Sequence, residues 1–111
     1  MGTAYELRIN CDKKHKTSVE AVLGSSANDS PEGWELVIEE DSPNFVNALS
    51  IFIELISTNI VKLNQSGIKA EEISFWYLYE YDQQCNMEFS PEITRQIGNL
   101  GIMLCISCWE K

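Results

Sequence analysis

The chain has 111 residues, enough to bury one hydrophobic core, so we expect a single domain over residues 1–111. Its apolar content of 44% is that of a folded protein and excludes a disordered chain. Acidic residues outnumber basic ones by 17 to 8, for a formal net charge of −9. A surface of that sign repels phosphates and anionic lipid, which excludes direct nucleic-acid or membrane-surface binding and favours a cationic partner. Solubility alone is the other explanation of this charge.

The first ten residues alternate like a strand, so we expect no signal peptide. The apolar run from Ala48 to Ile56 is interrupted by Ser50 and Glu54 and is shorter than a membrane span. Four cysteines are few for a disulfide scaffold. These patterns predict a soluble, cytoplasmic protein with free thiols.

The first third of the chain predicts two strands and a short helix. Alternating apolar residues indicate a strand over Ala4–Asn10, followed by a polar, basic turn. Thr17 and Glu20 form the pattern of a capping box, so a short helix is expected from Thr17 to Gly24. Small and turn-forming residues predict a loop over 25–33, before a second alternating strand, Trp34–Glu39.

The longest predicted element is a helix between Ser42 and Gly67, with residues about 43–66 helical. Ser42 is the expected N-cap, Pro43 fits the first turn, and Gly67 fits the left-handed conformation that ends a helix. Its apolar arc is broad, so the helix is expected at the centre of the core. Apolar residues recur at helical spacing at Phe45, Leu49, Phe52, Ile56, Ile60 and Leu63.

The remaining residues predict a central strand over Ile73–Tyr81, covered on both faces over part of its length, and a short returning strand over Cys85–Phe89. Ser90 and Pro91 start a helix that ends near 99–101, and a last strand follows over Ile102–Trp109. These elements predict an α+β, two-layer sandwich. Its sheet is expected to be mixed or antiparallel with four to five strands, beside one long helix and two short ones.

The cysteines and the single histidine offer no convincing metal or catalytic motif. Cys105 and Cys108 have the spacing of a redox or zinc pair, but a strand points residues three apart to opposite faces. Cys11 and His15 match no standard zinc spacing with them. With no nucleophile motif or phosphate-binding loop, we expect no catalytic residue, metal or cofactor and no enzymatic activity.

Acidic and aromatic residues in two segments are the candidates for partner binding. Tyrosine and tryptophan give large contact areas in interfaces, and flanking carboxylates steer basic partners. Packing of the aromatics and capping of the long helix by the acidic cluster are the alternative explanations. The candidate residues are Glu39, Glu40, Asp41, Trp76, Tyr79, Glu80, Tyr81 and Asp82.

The segment MEFSPEITRQIGNLGIMLCISCW resembles a widespread family of small bacterial α+β proteins of unknown function. The opening AYELRIN, the Leu23–Gly24 helix end and the strand that begins at Trp34 fit the same layout. Small acidic domains of this kind are similar to immunity proteins of bacterial toxin systems, including contact-dependent growth inhibition. The resemblance implies a stoichiometric inhibitor that binds a cognate toxin domain, often a basic nuclease.

Two other classes of function stay open on the sequence. A small-ligand-binding or regulatory α+β domain would present a concave apolar pocket with a few convergent polar groups. A metal or thiol enzyme would instead require the cysteines to converge.

Overall fold

The computed structural model describes residues 2–111, and four strands and three α-helices form within them. The strands are β1 (Ala4–Ile9), β2 (Trp34–Glu39), β3 (Ile73–Tyr81) and β4 (Met103–Glu110). The helices are α1 (Lys13–Leu23), α2 (Ala48–Gln65) and α3 (Pro91–Leu100). Short 3-10 turns at Phe45–Asn47 and Ala70–Glu72 precede α2 and β3.

The strands form one mixed sheet in the order β2-β1-β3-β4. β1 is antiparallel to both of its neighbours, whereas β4 runs parallel to β3. The parallel pair is joined through α3, because parallel neighbours need a crossover connection. The predicted α+β class with a mixed sheet and one long helix is therefore confirmed.

All three helices pack against one face of the sheet, where the hydrophobic core lies. Phe52 of α2 contacts Phe75 of β3 with ring centroids 5.6 Å apart, and both side chains are fully buried. The opposite face, which we call the open face, carries no helix. Leu78 of β3 is nevertheless buried on that face, with 7% of its surface exposed, so β3 is covered on both faces over part of its length, as expected. Alternation along the strands places on it Glu35, Val37, Glu39, Ala4, Glu6, Arg8, Ser74, Trp76, Leu78, Glu80, Met103, Cys105, Ser107 and Trp109.

The long helix ends where predicted but begins later. Gly67 has a φ of 89°, and the N–H of Ile68 bonds to the carbonyl of Leu63 at 2.9 Å, which closes the helix. At the start, the predicted N-cap Ser42 lies in a turn, where its hydroxyl accepts from the N–H of Asn44. Regular α-helix begins only at Ala48, because the 3-10 turn at Phe45–Asn47 intervenes.

Two further boundaries differ from the sequence interpretation. Helix α1 begins four residues before Thr17, because Asp12 caps it by accepting from the N–H of His15 at 2.8 Å. The expected strand over Cys85–Phe89 does not form, and residues 85–89 have no regular secondary structure. A parallel β4 takes the place beside β3 that this hairpin strand would have occupied.

The segment Phe45–Gln65 is long and apolar enough to cross a membrane by length and composition, contrary to the expectation from its interrupted apolar run. In this fold it is the core helix, with Leu49, Phe52, Ile56 and Leu63 buried. The chain has a radius of gyration of 14.2 Å, close to that of a compact globular domain of this length.

Candidate interaction site

Acidic residues from three strands meet at one end of the sheet. Ala4, at the start of β1, pairs with Glu39 on one side and with Leu78 on the other. Because β4 is parallel to β3, it finishes beside the end of β3, where Glu110 pairs with Tyr81. We call this the acidic end and define it by Glu39, Glu40, Asp41, Glu80, Asp82 and Glu110.

Thr3 holds the two main acidic segments together. Its carbonyl accepts a hydrogen bond from the N–H of Glu40 at 3.0 Å, and its hydroxyl accepts one from the N–H of Glu80 at 3.1 Å. The residue is buried, with 5% of its surface exposed. A buried residue that bonds to one segment through its backbone carbonyl and to the other through its hydroxyl fixes the spacing of the two segments.

A cleft of about 600 Å³ lies at the acidic end. Its lining consists of Glu6, Glu39, Glu40 and Asp41 together with Val37 and residues 2–4. Glu6 accepts from Arg8 Nε at 2.8 Å, while within residues 2–111 the other three carboxylates form no ion pair. Unpaired carboxylates around a concave surface attract a cationic group.

The tyrosines of β3 form a row on the helix-covered face. Tyr77 stacks on Tyr5 at 4.4 Å and on Tyr79 at 5.3 Å, and Tyr79 lies 6.4 Å from Tyr81. Burial, with contributions from Tyr5, Tyr79 and Glu40, raises the pKa of Tyr77 to about 12. Tyr79 and Tyr81 are partly exposed, so each presents an aromatic edge beside the acidic end.

The tryptophans lie on the open face. The guanidinium of Arg8 sits 4.2 Å from the ring centroid of Trp76, whose Nε1 donates to Ser74 Oγ at 2.9 Å. Trp109 Nε1 donates to Glu80 Oε2 at 3.2 Å. Trp76 pairs with Glu6 in the middle of β1, so it lies further from the acidic end than Trp109.

The structure therefore brings seven of the eight predicted residues to one end of the sheet, with Trp76 further along the open face. They do not share one face, because Tyr79 and Tyr81 point to the helix side and Glu39, Trp76 and Glu80 to the open side. Sequence reasoning missed four contributors to this end of the sheet. Two of them, Trp109 and Glu110, could have been identified only from the parallel direction of β4. These four are Thr3, Glu6, Trp109 and Glu110.

Basic residues collect at the other end of the sheet. Lys13, Lys14 and Lys16 lie in the first turns of α1, which follows the end of β1. Lys69 immediately precedes the 3-10 turn before β3. Acidic residues also lie at this end, because Asp12 caps α1 and Glu71 and Glu72 follow Lys69. Beside the acidic end, Lys111 follows Glu110, and its N–H bonds to the carbonyl of Tyr81.

The cysteines are distributed over the fold. Cys105 lies on the open face and Cys108 on the helix side, so the prediction that this pair diverges is confirmed. Cys11 is buried, which raises the pKa of its thiol, and His15 Nδ1 lies 2.7 Å from Asp12 Oδ1. Within residues 2–111, no three His, Cys, Asp or Glu side chains are close enough together to hold a metal ion.

Comparisons of the chain with protein-family models, with curated proteins and with solved structures find no match.

Proposed function

We propose that this protein is a non-enzymatic immunity protein that binds and neutralises a cognate toxin domain through the acidic end. The observation that supports the proposal is the convergence of Glu39–Asp41 and Glu80–Asp82, which are distant in the chain and joined through Thr3. Such a surface suits a macromolecular partner with an excess of lysine and arginine. The partner class of contact-dependent growth inhibition comes from the family resemblance.

Electrostatic attraction is expected to speed association with the partner. A net charge of −9 and the unpaired carboxylates of the acidic end attract a positive surface before contact. A lysine or arginine of the partner enters the cleft and pairs with Glu39, Glu40 or Asp41. Tyr79 and Tyr81 then add aromatic contact area, within a total interface of about 1,600 Å².

A basic nuclease is the toxin that this surface fits best. Its active site binds phosphates with cationic side chains, and an acidic surface that docks there excludes the nucleic acid. The inhibitor acts in the cytoplasm, where such a toxin meets its substrate, and it needs neither a cofactor nor a catalytic residue.

The test is binding to the toxin domain encoded beside this gene, together with inhibition of its nuclease activity. The triple variant Glu39→Lys, Glu40→Lys, Asp41→Lys is expected to weaken binding about 100-fold or more at low salt. The matched control, Glu20→Lys, Glu32→Lys, Glu71→Lys, changes the net charge equally but lies outside the acidic end. It is expected to weaken binding less than about 10-fold. Equal losses from both variants, or no binding by the unmodified chain, would contradict the proposal.

A ligand-binding or regulatory domain is the second candidate, favoured by the cleft of about 600 Å³, a volume in the range of small-molecule sites. Its carboxylate lining would select a small cation. Saturable calorimetric binding of spermidine that the triple variant abolishes, without affinity for the toxin, would support this candidate instead.

A further inference from the structure

Strand β4 forms the outer edge of the sheet, next to β3 only. The N–H of Lys111 bonds to the carbonyl of Tyr81, and backbone direction alternates along a strand. The backbone N–H and C=O groups therefore point towards β3 at Met103, Cys105, Ser107 and Trp109. They point outward, away from β3, at Leu104, Ile106 and Cys108. Within residues 2–111, no turn, loop or side chain bonds to those outward groups.

This edge lacks the devices that normally prevent pairing between chains. β4 contains no proline or lysine, and Ile106 is 44% exposed. The other edge, β2, carries Glu35 and Glu39. It is also partly covered, because the N–H of Ala27 bonds to the carbonyl of Glu35 and Ser26 Oγ accepts from the Glu35 N–H. β4 is the longer of the two edges, it is unpaired, and its only charged residue is the terminal Glu110.

We propose that β4 pairs antiparallel with β4 of a second copy of this chain, with Ile106 on the two-fold axis, so that two four-stranded sheets join into one. Leu104 then faces Cys108 of the second copy and Ile106 faces its own equivalent. Each of these pairs exchanges two backbone hydrogen bonds. In the alternate positions Cys105 faces Ser107 and Met103 faces Trp109, so the pairs formed by residues 103–109 place uncharged residues opposite each other.

Charge along this edge does not oppose the pairing. Two copies of net charge −9 repel each other, yet residues 96–109 carry no charged side chain. An antiparallel alignment sets the acidic end of one copy beside the opposite end of the other, where Lys69 lies next to Glu71 and Glu72. The two acidic ends are consequently far apart, and each is left free. The pairing does not rest on the proposed function, because it uses a different part of the surface.

The test is the mass of the full chain in reducing buffer, measured by light scattering after gel filtration from about 10 to 500 µM. The expected mass is that of a dimer. Ile106→Lys places two ammonium groups at the axis and is expected to raise the dimer dissociation constant about 100-fold or more. Val61→Lys is the control, because Val61 is 65% exposed on α2 and lies away from the edge.

A second variant separates pairing from folding. Ile106→Pro removes only an outward N–H, so the monomer is expected to keep its circular dichroism spectrum and lose its partner. A monomer throughout the concentration range, a larger assembly, or a dimer that both variants leave intact would overturn the proposal.

The register is tested by cross-linking in a background with Cys85→Ser and Cys108→Ser. Ser107→Cys places a thiol opposite Cys105 of the second copy, in a non-hydrogen-bonded pair with Cα atoms about 4.5 Å apart. Oxidation is expected to give a covalent dimer with this variant and none with Ser50→Cys on α2. A failure to cross-link while the dimer persists would refute the Ile106-centred pairing.

Discussion

The hydroxyl of Thr3 accepts a hydrogen bond from the backbone N–H of Glu80, joining positions 77 residues apart in the chain. The backbone carbonyl of the same residue accepts from the N–H of Glu40, so one buried residue sets the distance between the two acidic segments. The candidate site therefore depends on a residue that carries no charge.

Replacing Thr3 with valine keeps the shape of the side chain but removes the acceptor of the Glu80 N–H. A backbone donor left without a partner costs about 1–3 kcal/mol, and urea denaturation measures that loss in the free energy of unfolding. Thr58→Val, at an exposed position on α2, is the control and is expected to change stability by less than about 0.5 kcal/mol. Equal stability of the two variants would show that water replaces the lost bond.

Gly67 and Gly98 form a matched pair for substitution by alanine. Gly67 has a φ of +89°, and an added Cβ would lie 3.0 Å from His15 Nε2, so Gly67→Ala is expected to cost more than about 1 kcal/mol. Gly98 lies within α3 with no atom within 4 Å of an added Cβ, and Gly98→Ala is expected to gain about 0.4–1 kcal/mol. Thermal unfolding of each variant measures whether the substitution raises or lowers stability. Stabilisation by Gly67→Ala would contradict the left-handed conformation assigned there.

Tyr77 is expected to control stability at alkaline pH. Its pKa is raised to about 12 in the folded state, so the folded protein favours the neutral phenol relative to the unfolded chain. That contribution is complete below pH 10, the ordinary tyrosine pKa, and is lost as pH rises towards 12. Tyr77→Phe is expected to flatten the fall in the free energy of unfolding over this range, measured by denaturation at each pH. Tyr81→Phe is the matched control.

The four thiols are expected to react at different rates with an aromatic disulfide reagent. Cys85 and Cys108 are exposed and react in the folded state, whereas Cys11 is buried and reacts only as the protein unfolds. Desolvation, followed by a hydrogen bond with Cys108, raises the pKa of Cys85. Cys108→Ala is therefore expected to move the pH–rate profile of Cys85 to lower pH. Cys105→Ala on the opposite face is the control and leaves that profile unchanged.

Local patterns were sufficient wherever one element decides its own structure. The strand Trp34–Glu39 and the strand Ile73–Tyr81 have the predicted bounds, because alternation of apolar side chains already states which face is buried. Gly67 and Ser90 end and begin helices as predicted, since capping involves only neighbouring backbone groups. The predicted start of α2 was wrong, because the turn at residues 40–44 depends on how the chain leaves β2.

What the sequence alone determined was the α+β class, the central helix and the acidic, aromatic character of the candidate segments. Tertiary structure decided the strand order, the parallel direction of β4 and hence which residues meet. Those pairings bring Trp109 next to Glu80. They also bring Thr3 next to both acidic segments. The physical reason is that strand pairing joins backbone groups that are distant in the chain and chemically alike. Which strands pair therefore depends on burial of the whole core, and it leaves no periodic signal in either strand.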